Sequence, residues 1–194
     1  MGSGLTQTDI YNMVLDRLTQ ETVLSPSDDT AITRWLNRNY AQQRDVLLSR
    51  HPWNFAVTRA QLAALDSTPS FEWLYHYNLP SDCLRLLQIT TDGYRDSPEV
   101  PHVVESGKIL TDKSGPLRVR YIRRVTVETQ FTNVFADVLA EVLAARMAHW
   151  MTGKASYAKF MREELPAIIA NAQLLDSLEG TPEPPDDSDV INAR

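Results

Sequence analysis

The spacing of apolar side chains changes period twice along this chain, and nothing else in the sequence restricts the fold as much. Over the first fifty residues they recur every three to four positions, from Phe55 to Ile122 they gather in short β-forming runs, and from Val134 they return to helical spacing. A 3.6-residue stripe scatters around a strand, and a two-residue alternation scatters around a helix. The order two helices, several strands, two helices is therefore written into the chain.

In the first helix Thr6 or Thr8 can cap the start, and Ile10, Met13, Val14, Leu15 and Leu18 supply the stripe. Ser25-Pro26-Ser27-Asp28-Asp29 breaks the pattern and offers cap oxygens and negative charge to a second helix. That helix carries Ile32, Trp35, Leu36, Tyr40, Leu47 and Leu48, with Arg34, Arg38 and Arg44 expected on its wet side. His51-Pro52 ends it, because a residue before proline is pushed out of the α region. The β runs are Phe55–Leu62, Phe71–Leu79, Leu84–Thr91, Val100–Val104, Lys108–Thr111 and Leu117–Ile122, divided by turn signals such as Asp92-Gly93 and Ser114-Gly115-Pro116. This spacing suggests a small antiparallel sheet or barrel. Beyond it, Val134, Phe135, Val138, Leu139, Val142, Ala145 and Met151 form a third helical stripe that Gly153 can close. A fourth helix runs from Tyr157 to Leu178 and contains Pro166, which predicts a kink.

Neither helical half can bury its stripe alone, so the expected fold is α+β. Residues 1–51 and 129–178 form a four-helix bundle, 52–128 an inserted antiparallel β domain, and 179–194 an extended arm rich in acids and prolines. With 43% hydrophobic and 23% charged residues, the 194-residue chain has enough apolar side chain for a packed core. No apolar run spans a bilayer, which predicts no membrane association, and one cysteine, Cys83, precludes an intrachain disulfide. The opening Met1-Gly2-Ser3-Gly4 fits a myristoylation pattern formally and is read as a simple chain start. The net charge of −6 is uneven: 179–194 holds five acids (Glu179, Glu183, Asp186, Asp187, Asp189) against Arg194. The body is close to neutral, unlike a protein whose main task is gripping nucleic acid. A regulator that binds DNA remains the alternative reading, yet neither helical half is net basic.

Catalytic chemistry is not evident. His51, His76, His102 and His149 stand far apart without ligand-spaced carboxylates or thiols, so neither metal nor cofactor is expected. Ser106-Gly107-Lys108 lacks the earlier glycine and the following Ser or Thr of a phosphate loop. Cys83 has no nearby histidine, and Glu163-Glu164 diverge on a helix. No enzyme is expected. The one concentration of base is Arg118, Arg120, Arg123 and Arg124. On a strand Arg118 and Arg120 share a face while Val119 and Tyr121 turn away, giving a candidate contact for a DNA backbone or an acidic segment.

Three segments together carry a resemblance. His51-Pro52-Trp53-Asn54-Phe55-Ala56 comes first, then Tyr77-Asn78-Leu79-Pro80-Ser81-Asp82-Cys83-Leu84-Arg85-Leu86. Ile109-Leu110-Thr111-Asp112 then leads to Leu117-Arg118-Val119-Arg120-Tyr121-Ile122. In this order and spacing, from about residue 6 to 178, the chain closely resembles the tail tubular protein A family, the head-to-tail adaptors of short-tailed phages. The resemblance implies a helical bundle with a β insertion and a twelvefold ring of identical subunits docked under the portal protein. The ring's other side would receive the tail nozzle protein and often tail fibres, with genomic DNA passing through the lumen unread. It also implies a place in the virion neck after assembly in the host cytoplasm, and neither catalytic residues nor cofactor. Trp53 and Phe55, leaving the second helix for the first strand, are expected to pin the insertion to the bundle. In the arm, which lies outside the resemblance, Pro182, Asp186, Asp187, Val190 and Ile191 are candidates for contact with the portal or a neighbouring subunit.

Overall fold

The computed structural model describes residues 4–94 and 97–179. Helices α1 (Gln7–Arg17) and α2 (Ala31–Arg50) come first. Strands β1 (Val57–Leu62), β2 (Tyr75–Asn78), β3 (Cys83–Thr90), β4 (Val103–Glu105), β5 (Lys108–Thr111) and β6 (Leu117–Arg123) follow. A 3-10 turn at Glu128–Gln130 leads to α3 (Asn133–Thr152) and α4 (Ala155–Leu178). The fold is α+β, four helices with two small antiparallel sheets.

The helix ends follow capping chemistry. Thr6 Oγ1 accepts from the Asp9 amide, and the Asp9 carboxylate accepts from the Thr6 hydroxyl and then the Thr6 amide, which together hold that carboxyl below its usual range. Helix α2 is capped by Thr30, one residue past the expected Ser25–Asp29 segment. Asp28 is occupied elsewhere, accepting from the Leu24 and Ser25 amides at 2.9 and 3.0 Å. Gly153 ends α3 with φ +64, a left-handed turn that glycine adopts without a Cβ clash. Helix α4 continues through Pro166.

Helix α3 is the hub of the bundle, packed by α1, α2 and α4. Ala136, Ala140, Ala144 and Ala148, one every four residues and all fully buried, form a small-residue ridge that lets neighbouring helices approach. Arg17 of α1 bonds Asp137 and Glu141 of α3, both at 2.5 Å. Arg44, expected on the wet side of α2, is buried instead. Its guanidinium reaches Asp45 at 2.9 Å, and Asp45 also accepts from Arg124 at 2.7 Å, so the charge is drawn inward by a carboxylate rather than left to water.

The six strands make two sheets rather than one sheet or barrel, in the orders β1-β6-β3 and β2-β5-β4. Each middle strand, β6 and β5, is paired on both edges, so each triplet is complete in itself. The sheets meet over a minor core of Tyr77 and Ile109 from one and Ile89, Leu117, Val119 and Tyr121 from the other, with Val100 between strands. Strand β6 serves two cores. Leu117, Val119 and Tyr121 face the minor core, while Ile122 is buried with the bundle cluster. Two register shifts in β3 do the same for that strand, sending Leu84 and Leu87 to the bundle and Leu86 to the minor core.

Candidate functional site

The joint between bundle and insertion is built from aromatics. Trp53 is fully buried and donates its indole N–H to the Leu47 carbonyl at 3.1 Å, which ties the strand entry to the last turn of α2. Its ring meets Phe135 edge-on at 5.2 Å, and Phe55 meets Phe131 and Phe135 at 5.8 and 5.1 Å. Edge-to-face and tilted aromatic pairs stabilise beyond the area they bury. A polar clasp completes the joint. The buried Asp176 of α4 accepts from the Asn54 amide at 3.1 Å and bonds His51 Nε2 at 3.2 Å, and Asn54 Nδ2 donates to the Asp176 carbonyl. Burial raises the Asp176 pKa, while the Asn54 amide and His51 pull it back.

The four arginines picked out by the sequence do not form one surface. Arg123 donates to Gln130 at 2.8 Å, and Arg124 is held by Asp45, so both belong to the joint. Arg118 and Arg120 share the outer face of β6, and that face gains an arginine the sequence pattern did not single out. Antiparallel register sets Arg59 of β1 directly opposite Arg120, and Gln61 opposite Arg118. On the other side Gln88 stands opposite Arg120, Thr90 opposite Arg118 and Arg85 opposite Ile122. The face is thus apolar at Ile122, where the bundle covers it, and basic further out. Arg59, Gln61, Thr90, Gly93, Arg118 and Arg120 line a shallow recess of about 290 Å³. Arg118 donates to the Thr91 carbonyl, and its charge contributes, after hydrogen bonds from Ser97 and Tyr94, to holding Asp92 below the usual carboxylate range. The stem of Arg118 lies so close to Gly93, itself at φ +84, that a Cβ there would fall 2.6 Å from the Arg118 Cδ. Arg120 Nε is buried without a hydrogen-bond partner. Among the described residues, Arg59, Arg118 and Arg120 make no ion pair. Pro182, Asp186, Asp187, Val190 and Ile191 lie outside the described residues.

Two other recesses border exposed apolar side chains. One, of about 500 Å³, runs between α1, α3 and α4 along Leu5, Met13, Val134, Val138, Ile168 and Leu175. Exposed Leu174 and Leu178 stand near its end on α4. The other, of about 280 Å³, lies on the insertion and is mixed, with Phe71, Trp73 and Leu110 beside Glu72, Glu105 and Lys108. Phe71 there is 80% exposed, the adjoining Leu74 61%.

Residues capable of catalysis are dispersed. His51 is bound to Asp176, and His102 Nδ1 lies 2.8 Å from the Val100 carbonyl. His76 meets Ser67 Oγ at 2.8 Å, a pairing across nine residues that the sequence motifs did not suggest. No carboxylate is bonded to that histidine among the described residues, so nothing orients it as a base. Burial pushes the Cys83 thiol up, away from the thiolate. Tyr11 and Tyr40, edge-on at 5.5 Å, bond Asn37 and Glu128. Burial is the main cause of the upward pKa shift in both phenols, Tyr11 to about 12. Among the described residues no three His, Cys, Asp or Glu side chains gather to hold a metal ion, and no helix is long and apolar enough to cross a membrane. No family model and no curated protein matches the chain.

Proposed function

We propose that this chain is a structural head-to-tail adaptor, one of a ring of identical copies seated between a phage portal and the tail nozzle. The observation that carries this reading is a pair of recesses, an apolar one on the bundle and one of mixed character on the insertion, together with exposed Leu174 and Leu178 on α4 and exposed Phe71 and Leu74 on the insertion. Large side chains left uncovered around a recess are contact surfaces in waiting. A subunit between two different rings, with copies of itself on either side, needs several of them. The aromatic joint supports the same role, since it fixes one contact surface relative to the other. The sequence resemblance supplies the identity of the partners.

The test mixes purified subunit with portal rings and weighs the product by native mass spectrometry. The isolated subunit is expected as a monomer or weak oligomer that forms a closed ring only on the portal. A stable closed ring without portal contradicts this order of assembly, and absence of any complex with portal overturns the adaptor reading.

A further inference from the structure

We infer that the outer arginine face of β1, β6 and β3 is a docking site for the acidic segment 180–194 of the same chain. The face has a built-in electrostatic deficit. Arg59 and Arg120 stand directly opposite each other across two strands, an arrangement in which like charges repel. Arg118 is the next same-face residue on β6, and Arg85 is the partner of Ile122 on β3. Among the described residues no carboxylate forms an ion pair with Arg59, Arg118 or Arg120, and the Nε of Arg120 is buried with its hydrogen unused. An anionic ligand on this face would relieve the repulsion.

The chain itself carries the matching charge. Segment 180–194 holds Glu183, Asp186, Asp187 and Asp189 against Arg194. These four acids lie within seven residues, which suits a recess lined by three arginines.

Connectivity brings the two within reach. Helix α4 ends at Leu178, two residues past Asp176, and Asp176 holds the Asn54 amide at 3.1 Å. Arg59 is five residues beyond Asn54, less than about 20 Å along extended chain. The side is also right. Arg85, on the arginine face, reaches the Arg50 carbonyl at 3.5 Å, and the next residue, His51, bonds Asp176. Fifteen residues span up to about 50 Å when extended, so the acids can cover the recess without strain. A tether this short also gives its own acids a local concentration in the millimolar range, ahead of any other copy. The adaptor reading is not needed for this inference, because the contact belongs to the isolated subunit.

A nitroxide on the full chain tests it. With Cys83→Ser removing the native thiol, Ser188→Cys takes the label, and amide broadening is read by NMR. The expected result is broadening confined to 57–62, 85–92 and 117–121 at about 0.01 M salt, and its loss at about 1 M, where screening shortens the reach of charge to a few ångströms. Arg59→Glu, at an exposed position, should weaken it, and so should Arg120→Glu if that variant folds. Broadening that appears only between labelled and separately enriched molecules would overturn the intramolecular contact. So would absence of broadening. A competing occupant is checked in the same chain. Duplex DNA should bind about tenfold tighter once Asp186, Asp187 and Asp189 are replaced by Asn. Equal binding with and without the acids shows a face open to nucleic acid and overturns the proposal.

Discussion

The bundle and the insertion hold themselves together by different means. The bundle has a continuous apolar cluster running from Ile10 to Ala172 around α3, with buried aromatics and leucines and a fully buried ridge of alanines. Among the described residues, the insertion's minor core holds seven buried apolar or aromatic side chains, two of them tyrosines whose hydroxyls still need partners. Tyr77 finds the Lys113 carbonyl at 2.8 Å and Tyr121 finds Asp82 at 3.1 Å. So small a core gives little margin of its own. The insertion draws on the bundle through Trp53, Phe55 and Ile122, and through strands that send alternate residues to each side. An insertion whose sheet is shared with its host can draw part of its stability from the host's core.

Breaking the joint should have the largest effect. Trp53→Ala removes a fully buried ring from the junction and should cost about 3–5 kcal/mol. Thermal unfolding followed by circular dichroism should show a marked drop in melting temperature, and an unchanged Tm would mean the two regions do not depend on this contact. Ile109→Ala attacks the minor core alone, and its cost of roughly 2–5 kcal/mol falls on a region with little to spare. Hydrogen exchange should then show β1 to β6 opening while the amides of α3 stay protected. Simultaneous loss of protection in both would show one cooperative unit.

The Asp176 clasp sharpens the comparison through pH. Its carboxyl has a folded pKa raised above the ordinary 3.8, so its contribution is fully present below that value and is lost as pH rises through the folded one. Asp176→Asn keeps an acceptor for the Asn54 amide and removes the titration. The variant should therefore show a flatter dependence of Tm on pH over that acidic range, and an identical slope would locate the effect elsewhere. The smallest change concerns the overhanging sheet. In a chain shortened to residue 179, where no acidic segment can offset the repulsion, Arg120→Gln relieves the facing Arg59 and should shift stability upward by only a few tenths of a kcal/mol at low salt. A loss of stability would show that Arg120 is held by an attraction stronger than the repulsion.

Much of the architecture could be read along the chain, because period and punctuation are local. The run Lys108–Thr111 is a strand with those very bounds, and Gly153 closes α3 as its position suggests. Where the reading failed, a nonlocal or side-chain contact decided the outcome. The run Phe71–Leu79 becomes a strand only from Tyr75, since the Trp73 amide turns back to the Phe71 carbonyl and Asp112 takes the Leu74 amide. Arg44 looks like a surface residue until Asp45 folds over it. The site was less legible still. Arg59 is unremarkable between Thr58 and Ala60, and only the pairing of β1 with β6, some sixty residues later, makes it part of a basic face. Asp176 looks like a solvent-facing position on an amphipathic helix, and its partners lie more than a hundred residues away.

The doubly committed strand β6 also has a mechanical consequence. It is bonded along one edge to β1 and along the other to β3, and it runs from the minor core into the bundle. A load applied lengthwise to the insertion would pull both ladders in shear, so several hydrogen bonds must give way together before the strand slips. Side chains anchored at each end add resistance at the same moment.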